Sequence, residues 1–165
     1  MSIKIVYVLS LVLFSITLNY GQIDESSELF VELKKADSIF FERGFNLCDM
    51  EYLEQHIAQD LKFYHDQSGF QNREIFFENT RKYICSNPDQ KPIRKLKTGS
   101  LIVFPLYNNG ILYGAIQKGV HHFYIREKGK PDRWTSTADF TTVWVKEKNK
   151  WVMSEVLSYN HRDPE

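Results

Sequence analysis

The sequence predicts an α+β domain, three helices followed by an antiparallel β-meander, with the helices packed on one face of the sheet. Three observations predict it. Apolar residues in the first part of the chain recur at helical spacing between capping residues. Beyond Pro92 the chain becomes a series of β-branched and aromatic runs, which suit a pleated, half-buried surface. The breaks between those runs are short and rich in turn residues, so successive strands fold back on one another. Helices first and strands afterwards argue for segregated layers rather than alternating βαβ units.

The first helix is capped by Ser26 or Ser27 and runs to about Arg43, with Gly44 as its stop. Leu29, Leu33, Ala36 and Phe40 form its apolar stripe, widened by Phe30 and Phe41. Asp37 lies on or beside that stripe, either solvated at its edge or facing a pocket. Asp49 caps a short second helix from Met50 to about Ala58, which buries Leu53 and Ile57; His56 sits beside that stripe, towards the surface. The alternation across Asp60–Asp66 predicts a strand, and Gln67-Ser68-Gly69 a turn. Asn72 caps a third helix to about Cys85, with Ile75, Phe76, Tyr83 and Ile84 as inner contacts, and Pro88 prevents its continuation.

The predicted strands are Ile93–Thr98, Leu101–Tyr107, Ile111–Glu127, Trp134–Lys146 and Lys150–His161. Asn108-Asn109-Gly110 supplies the positive φ of a tight hairpin, and Lys128–Asp132 joins the next pair. Gly114, Gly119 and Ala138 are candidate bend or bulge positions in the long strands. Strict alternation in the last strand puts Trp151, Met153, Glu155, Leu157, Tyr159 and His161 on one bulky face. An acid, a phenol and an imidazole on such a face suggest the wall of a pocket.

The 165 residues fit one domain, and an apolar share of 42% can supply its core. Lys+Arg and Asp+Glu number 21 each, so no global field steers the protein to nucleic acid or an anionic surface. Lys4 precedes the uncharged apolar run Ile5–Leu18 and then Asn19-Tyr20-Gly21-Gln22, the pattern of a secretory signal peptide over residues 1–21. The domain is then residues 22–165, exported to the periplasm or secreted; if the segment is not cleaved, it anchors the protein to a membrane. In an oxidising compartment Cys48 and Cys85 either form a disulfide or pack as two independent thiols. Neither lies at metal-ligand spacing from a histidine, so no metal and no other cofactor is expected.

The order of three helices, one early strand and a long curved meander resembles the nuclear transport factor 2-like superfamily. More narrowly, it looks like that superfamily's exported small domains, related to polyketide cyclases and ketosteroid isomerases. The segments that carry the resemblance are Gly44–Met50, Asp60–His65 followed by Gly69, Phe140–Lys146, Lys150-Trp151 and Ser158–His161. The resemblance implies a cone: a curved antiparallel sheet wrapped around a long N-terminal helix, with a mostly apolar cavity at the wide end and homodimers formed through the outer sheet face. It implies no single activity, because the fold serves isomerases, dehydratases, cyclases and binding modules.

The candidate ligand-binding residues are His65, His121, Phe123, Trp134, Glu155, Tyr159 and His161, around a small-molecule ligand. The resemblance favours His65 as a polar lining residue; otherwise it is a strand-end imidazole bonded to its turn. Of His121 and His122 one must face inward, and the parity of Phe123 and Ile125 selects His121, either as a satisfied core histidine or as a ligand contact. Tyr107, Tyr113 and Trp134 either line the cavity or pack. Glu155, His65 and Asp139 are the candidates for general acid–base work, and a buried carboxylate paired with a histidine could supply it. A structural ion pair is the competing role for Glu155. Three functions remain open: a binding module for an apolar ligand, a proton-transfer enzyme (isomerase, dehydratase or hydrolase), and a non-catalytic dimerisation domain.

Overall fold

A computed structural model describes residues 21–148 and 150–164. Apart from Gly21, the predicted signal peptide lies outside the described residues. Ser27 starts α1 (Glu28–Ile39) by accepting the backbone N–H of Phe30, which satisfies one of the donors that a helix start leaves without a partner. The helix does not stop at Gly44. It continues through wider π-type turns over Phe40–Asn46, where the N–H of Leu47 donates to the carbonyl of Glu42. Gly44 serves packing instead. A Cβ there would lie 2.7 Å from Cγ of Leu53, so only a hydrogen fits between this turn and α2 (Met50–His56).

Asp49 caps α2 through the N–H of Tyr52. His56 is half-buried, its ring stacked on Tyr52. The chain passes directly into β1 (Ile57–His65), so the strand begins earlier than its alternation suggested. The predicted turn leads into a short strand, β2 (Gly69–Asn72), antiparallel to β1. Asn72 caps α3 (Arg73–Asn79), which is extended by π-type turns over Thr80–Ile84. Phe77 is the buried residue of α3, whereas the predicted inner contacts Ile75 and Tyr83 are exposed. Cys48 and Cys85 are joined in a disulfide, with Cα atoms 5.8 Å apart, tying the end of the first helical segment to the end of the third.

The remaining strands are β3 (Gln90–Leu96), β4 (Ile102–Asn108), β5 (Ile111–Glu127), β6 (Arg133–Glu147) and β7 (Lys150–Arg162). They form a curved, open sheet in the order β2-β1-β7-β6-β5-β3, with β4 on the other half of β5. The sheet is mixed rather than antiparallel throughout, because β1 runs parallel to β7. Hairpin turns dictate direction only for strands adjacent in sequence, and β1 meets β7 across most of the chain. Trp144, Phe140, Leu33, Phe40 and Leu53 fill the core between α1 and the sheet. Within it Trp144 donates its indole N–H to Gln117, and the amide of Gln117 donates to the carbonyl of Leu33. The sheet is thereby bonded to α1 where neither group could reach water.

Three bulges decide which side chains face the helices. Thr135 in β6, and Ser154 and Asn160 in β7, are the extra residues where the pairing slips by one. Each slip exchanges the faces of the residues beyond it.

Candidate functional site

The concave face of the sheet, the π-type turns after α1 and the end of α3 enclose a cavity of about 480 Å³. Rings of Phe40, Phe41, Phe45, Phe63, Phe76 and Phe123 make its wall predominantly apolar. Two polar clusters reach that wall, a buried one through His121 and a more exposed one through His65, Ser158 and His161.

The buried cluster comprises Asp37, Arg94 and His121. Arg94 forks onto both carboxylate oxygens of Asp37, at 2.8 and 3.0 Å, and its Nε–H donates to Nδ1 of His121 at 2.5 Å. The guanidinium also lies 3.8 Å from the centre of the Phe41 ring. Asp37, Arg94 and His121 are 1%, 4% and 4% exposed, so the pair is held out of water and each charge depends on the other. Burial pushes the Asp37 carboxyl up and the Arg94 guanidinium down, and each partner opposes the other's shift. Burial, and then the charge of Arg94, hold His121 well below the ordinary histidine value, so it is neutral. Its Nδ1 accepts from Arg94, so the ring proton sits on Nε2. Among the described residues nothing bonds to that N–H, and His121 lines the cavity.

The more exposed cluster comprises His65, Asp66, Ser158 and His161. Asp66 accepts from His161 twice, from the backbone N–H at 3.1 Å and from Nδ1 at 2.5 Å. Burial alone would raise the Asp66 carboxyl, but these bonds hold it below the usual range. Nε2 of His161 lies 3.5 Å from Oγ of Ser158. The His65 ring stacks on His161 at 4.3 Å, and its Nδ1 accepts the N–H groups of Gln67 and Ser68. Burial, then the neighbouring His161, lowers the His65 pKa. His65, Asp66 and His161 bring three ligand-type atoms within 4.8 Å of one another. The two imidazole planes are nearly parallel, however, and their Nδ1 atoms are already engaged, which suits moving a proton better than ligating a metal.

Of the sequence-derived candidates, His65, His121, Phe123 and His161 line the cavity. Glu155 does not. The bulge at Ser154 turns it to the outer face, where it pairs with Lys62 at 3.1 Å in an exposed ion pair. Tyr159 is exposed on the same face. Trp134 packs outside against His122 and Tyr124, because the bulge at Thr135 gives the inner positions to Thr135 and Ser136. Asp139 also faces outward and binds Arg162 and Asn160. Tyr107 and Tyr113 are exposed. Glu155 and Tyr159 depart from strict alternation for one reason: β7 gains a residue at Ser154, which exchanges the faces beyond it.

Arg94, Asp66 and Ser158 were not singled out from the sequence. A basic residue inside the run Ile93-Arg94-Lys95-Leu96 looks like a solvated strand position. Its partner Asp37 was the visible signal, an acid on an apolar helical stripe.

No family model and no curated protein matches the sequence. Solved structures do match. ActVI-ORFA of Streptomyces coelicolor superposes with a TM-score of 0.65 at 9% identity, over 82% of this chain and 98% of its own. A Catenulispora acidiphila protein solved in complex with S-DNPA gives 0.60 at 9% identity, over 79% and 92%. A nuclear transport factor 2-like superfamily protein of Salmonella enterica gives 0.56 at 18% identity, over 84% and 94%. The cone of helices and curved sheet in this chain is therefore the nuclear transport factor 2-like fold.

Proposed function

We propose that the protein is an exported module that holds a small, largely apolar molecule in the cone cavity. One observation carries this reading: a cavity of about 480 Å³, walled by phenylalanines and lined by the neutral His121, whose Nε2–H has no hydrogen-bond partner among the described residues. Ligand sites are typically concave, mostly apolar and oriented by a few placed polar groups. The S-DNPA complex of the Catenulispora neighbour supports a ligand-holding use of this fold. The neutral fluorophore N-phenyl-1-naphthylamine is expected to bind one equivalent of the mature protein. Ser136→Trp, which places an indole in the cavity, should weaken that binding at least tenfold without lowering the melting temperature. A wild-type protein that leaves the fluorophore in water would refute the reading.

A second reading, proton-transfer enzyme, is favoured by one specific contact. His161 lies on the cavity wall with its ring oriented by the Asp66 carboxylate, the arrangement a general base requires. The acid of this pair is Asp66, whereas Glu155 and Asp139 face away from the cavity.

A homodimer through the outer sheet face is part of the same proposal. Tyr64 and Leu157 are cross-strand neighbours on that face and exposed, with Phe70 packed against Tyr64. Together they form an apolar strip for a second copy to cover.

A further inference from the structure

Ser158 and His161 are separated by an odd number of positions, and in a regular strand they would face opposite sides of the sheet. The bulge at Asn160 brings them to the same side. Its φ of 57° places it in the left-handed region, and β7 gains a residue between the pairs Asp139↔Tyr159 and Thr137↔Arg162. A left-handed non-glycine residue is uncommon, and strain of this kind persists only where its surroundings hold it. Here both side chains line the cavity as a result, and Asp66 fixes their relation. Its own backbone N–H donates to the carbonyl of Ser158 at 3.1 Å, while its carboxylate takes both N–H groups of His161. With Nδ1–H committed to Asp66, the lone pair of His161 is on Nε2, which lies 3.5 Å from Oγ of Ser158. The stacked His65 ring holds the plane of the imidazole.

We propose that Ser158 is a nucleophile, His161 its general base and Asp66 the positioning carboxylate of an acyl-transfer site that hydrolyses small apolar esters held in the cavity. Nucleophile, base and orienting acid occur in the required order, and looser nucleophile–base distances are usual before substrate binds. In the first half-reaction Oγ of Ser158 bonds to the ester carbonyl carbon as its proton passes to Nε2 of His161. The carbon–oxygen bond to the alcohol then breaks, and the departing oxygen takes that proton from His161. In the second half-reaction water gives a proton to His161 and bonds to the acyl carbon. The acyl–Oγ bond breaks, the proton returns to Oγ, and the acid leaves. The Nε2–H of His121, with its tautomer set by Arg94, is the cavity's donor for the carbonyl oxygen.

This inference rests on the cavity admitting a small apolar molecule, and the test separates the two. The mature protein is incubated with an alkyl fluorophosphonate, followed by intact-mass measurement and peptide mapping. One adduct is expected, on Ser158, and it should be absent from Ser158→Ala and His161→Gln. Asp66→Asn should slow the labelling step at least tenfold while leaving the binding of N-phenyl-1-naphthylamine unchanged; a merely structural carboxylate would weaken both or neither. The wild-type measurement does not depend on any variant folding. Wild-type protein that binds N-phenyl-1-naphthylamine but takes no label, or is labelled elsewhere, overturns the nucleophile and leaves the binding module standing. Protein that does neither overturns both.

Discussion

At the scale of single residues, the buried Asp37–Arg94–His121 chain governs both stability and the character of the cavity. Asp37→Ala leaves the Arg94 charge out of water without its partner. Breaking a buried pair in this way is expected to cost about 3–5 kcal/mol in urea denaturation. The double substitution Asp37→Leu with Arg94→Met should cost clearly less than the sum of the single changes, because no charge is then stranded. His121 gives stability a pH dependence whose sign follows from burial. Its folded-state pKa lies well below 6.5 because of burial, then Arg94, then His161 and His122. Below pH 6.5 the unfolded chain therefore binds a proton that the folded chain refuses, and stability falls on acidification by up to about 1.4 kcal/mol per pH unit. Unfolding free energies at pH 7.5, 6.0 and 5.0 check this, and His121→Gln should flatten the slope.

At the scale of elements, close packing and strand slippage matter more than propensity. Gly44→Ala sets a methyl group against Leu53, and the overpacking is expected to cost about 1–3 kcal/mol, with partial rescue by Leu53→Val. The Cys48–Cys85 disulfide spans 37 residues of chain, so opening it as the Ser,Ser double variant should cost up to about 4 kcal/mol by the chain-entropy estimate. Thermal melting with and without reductant reads the same effect in the wild type. The helix starts were legible in the sequence because a cap is a local hydrogen bond: Ser27, Asp49 and Asn72 each accept from the third residue beyond. The faces of the last two strands were not legible beyond their bulges. At Ser154, Thr135 and Asn160 the extra residue is defined only by the partner strand opposite it. Glu155 therefore read as a cavity acid, and Ser158 was not recognised as one of the cavity's polar residues.

At the scale of the whole molecule, the polar clusters join parts of the chain that no local pattern connects. Arg94 and Asp37 are 57 positions apart, and His161 and Asp66 are 95 apart. Export and pairing also belong to this scale. We propose cleavage after Gly21, and the mature protein released by cells producing the full chain should begin at Gln22 on N-terminal peptide mass analysis. Light scattering should return twice the mass of one chain, and Leu157→Lys, which sets a charge in the outer apolar strip, should return it to one.

The sequence by itself determined the helix caps, the run of strands after Pro92, the α+β order and the aromatic supply for a cavity wall. These depend on side-chain chemistry and on spacing within a few residues. Only the tertiary structure decided that β1 runs parallel to β7, that Glu155, Asp139, Trp134 and Tyr159 face outward, and that Asp66, Ser158 and His161 meet. The physical reason is that a side chain's face is set by cross-strand hydrogen bonding. One additional residue in a strand exchanges the two faces while leaving the local composition unchanged.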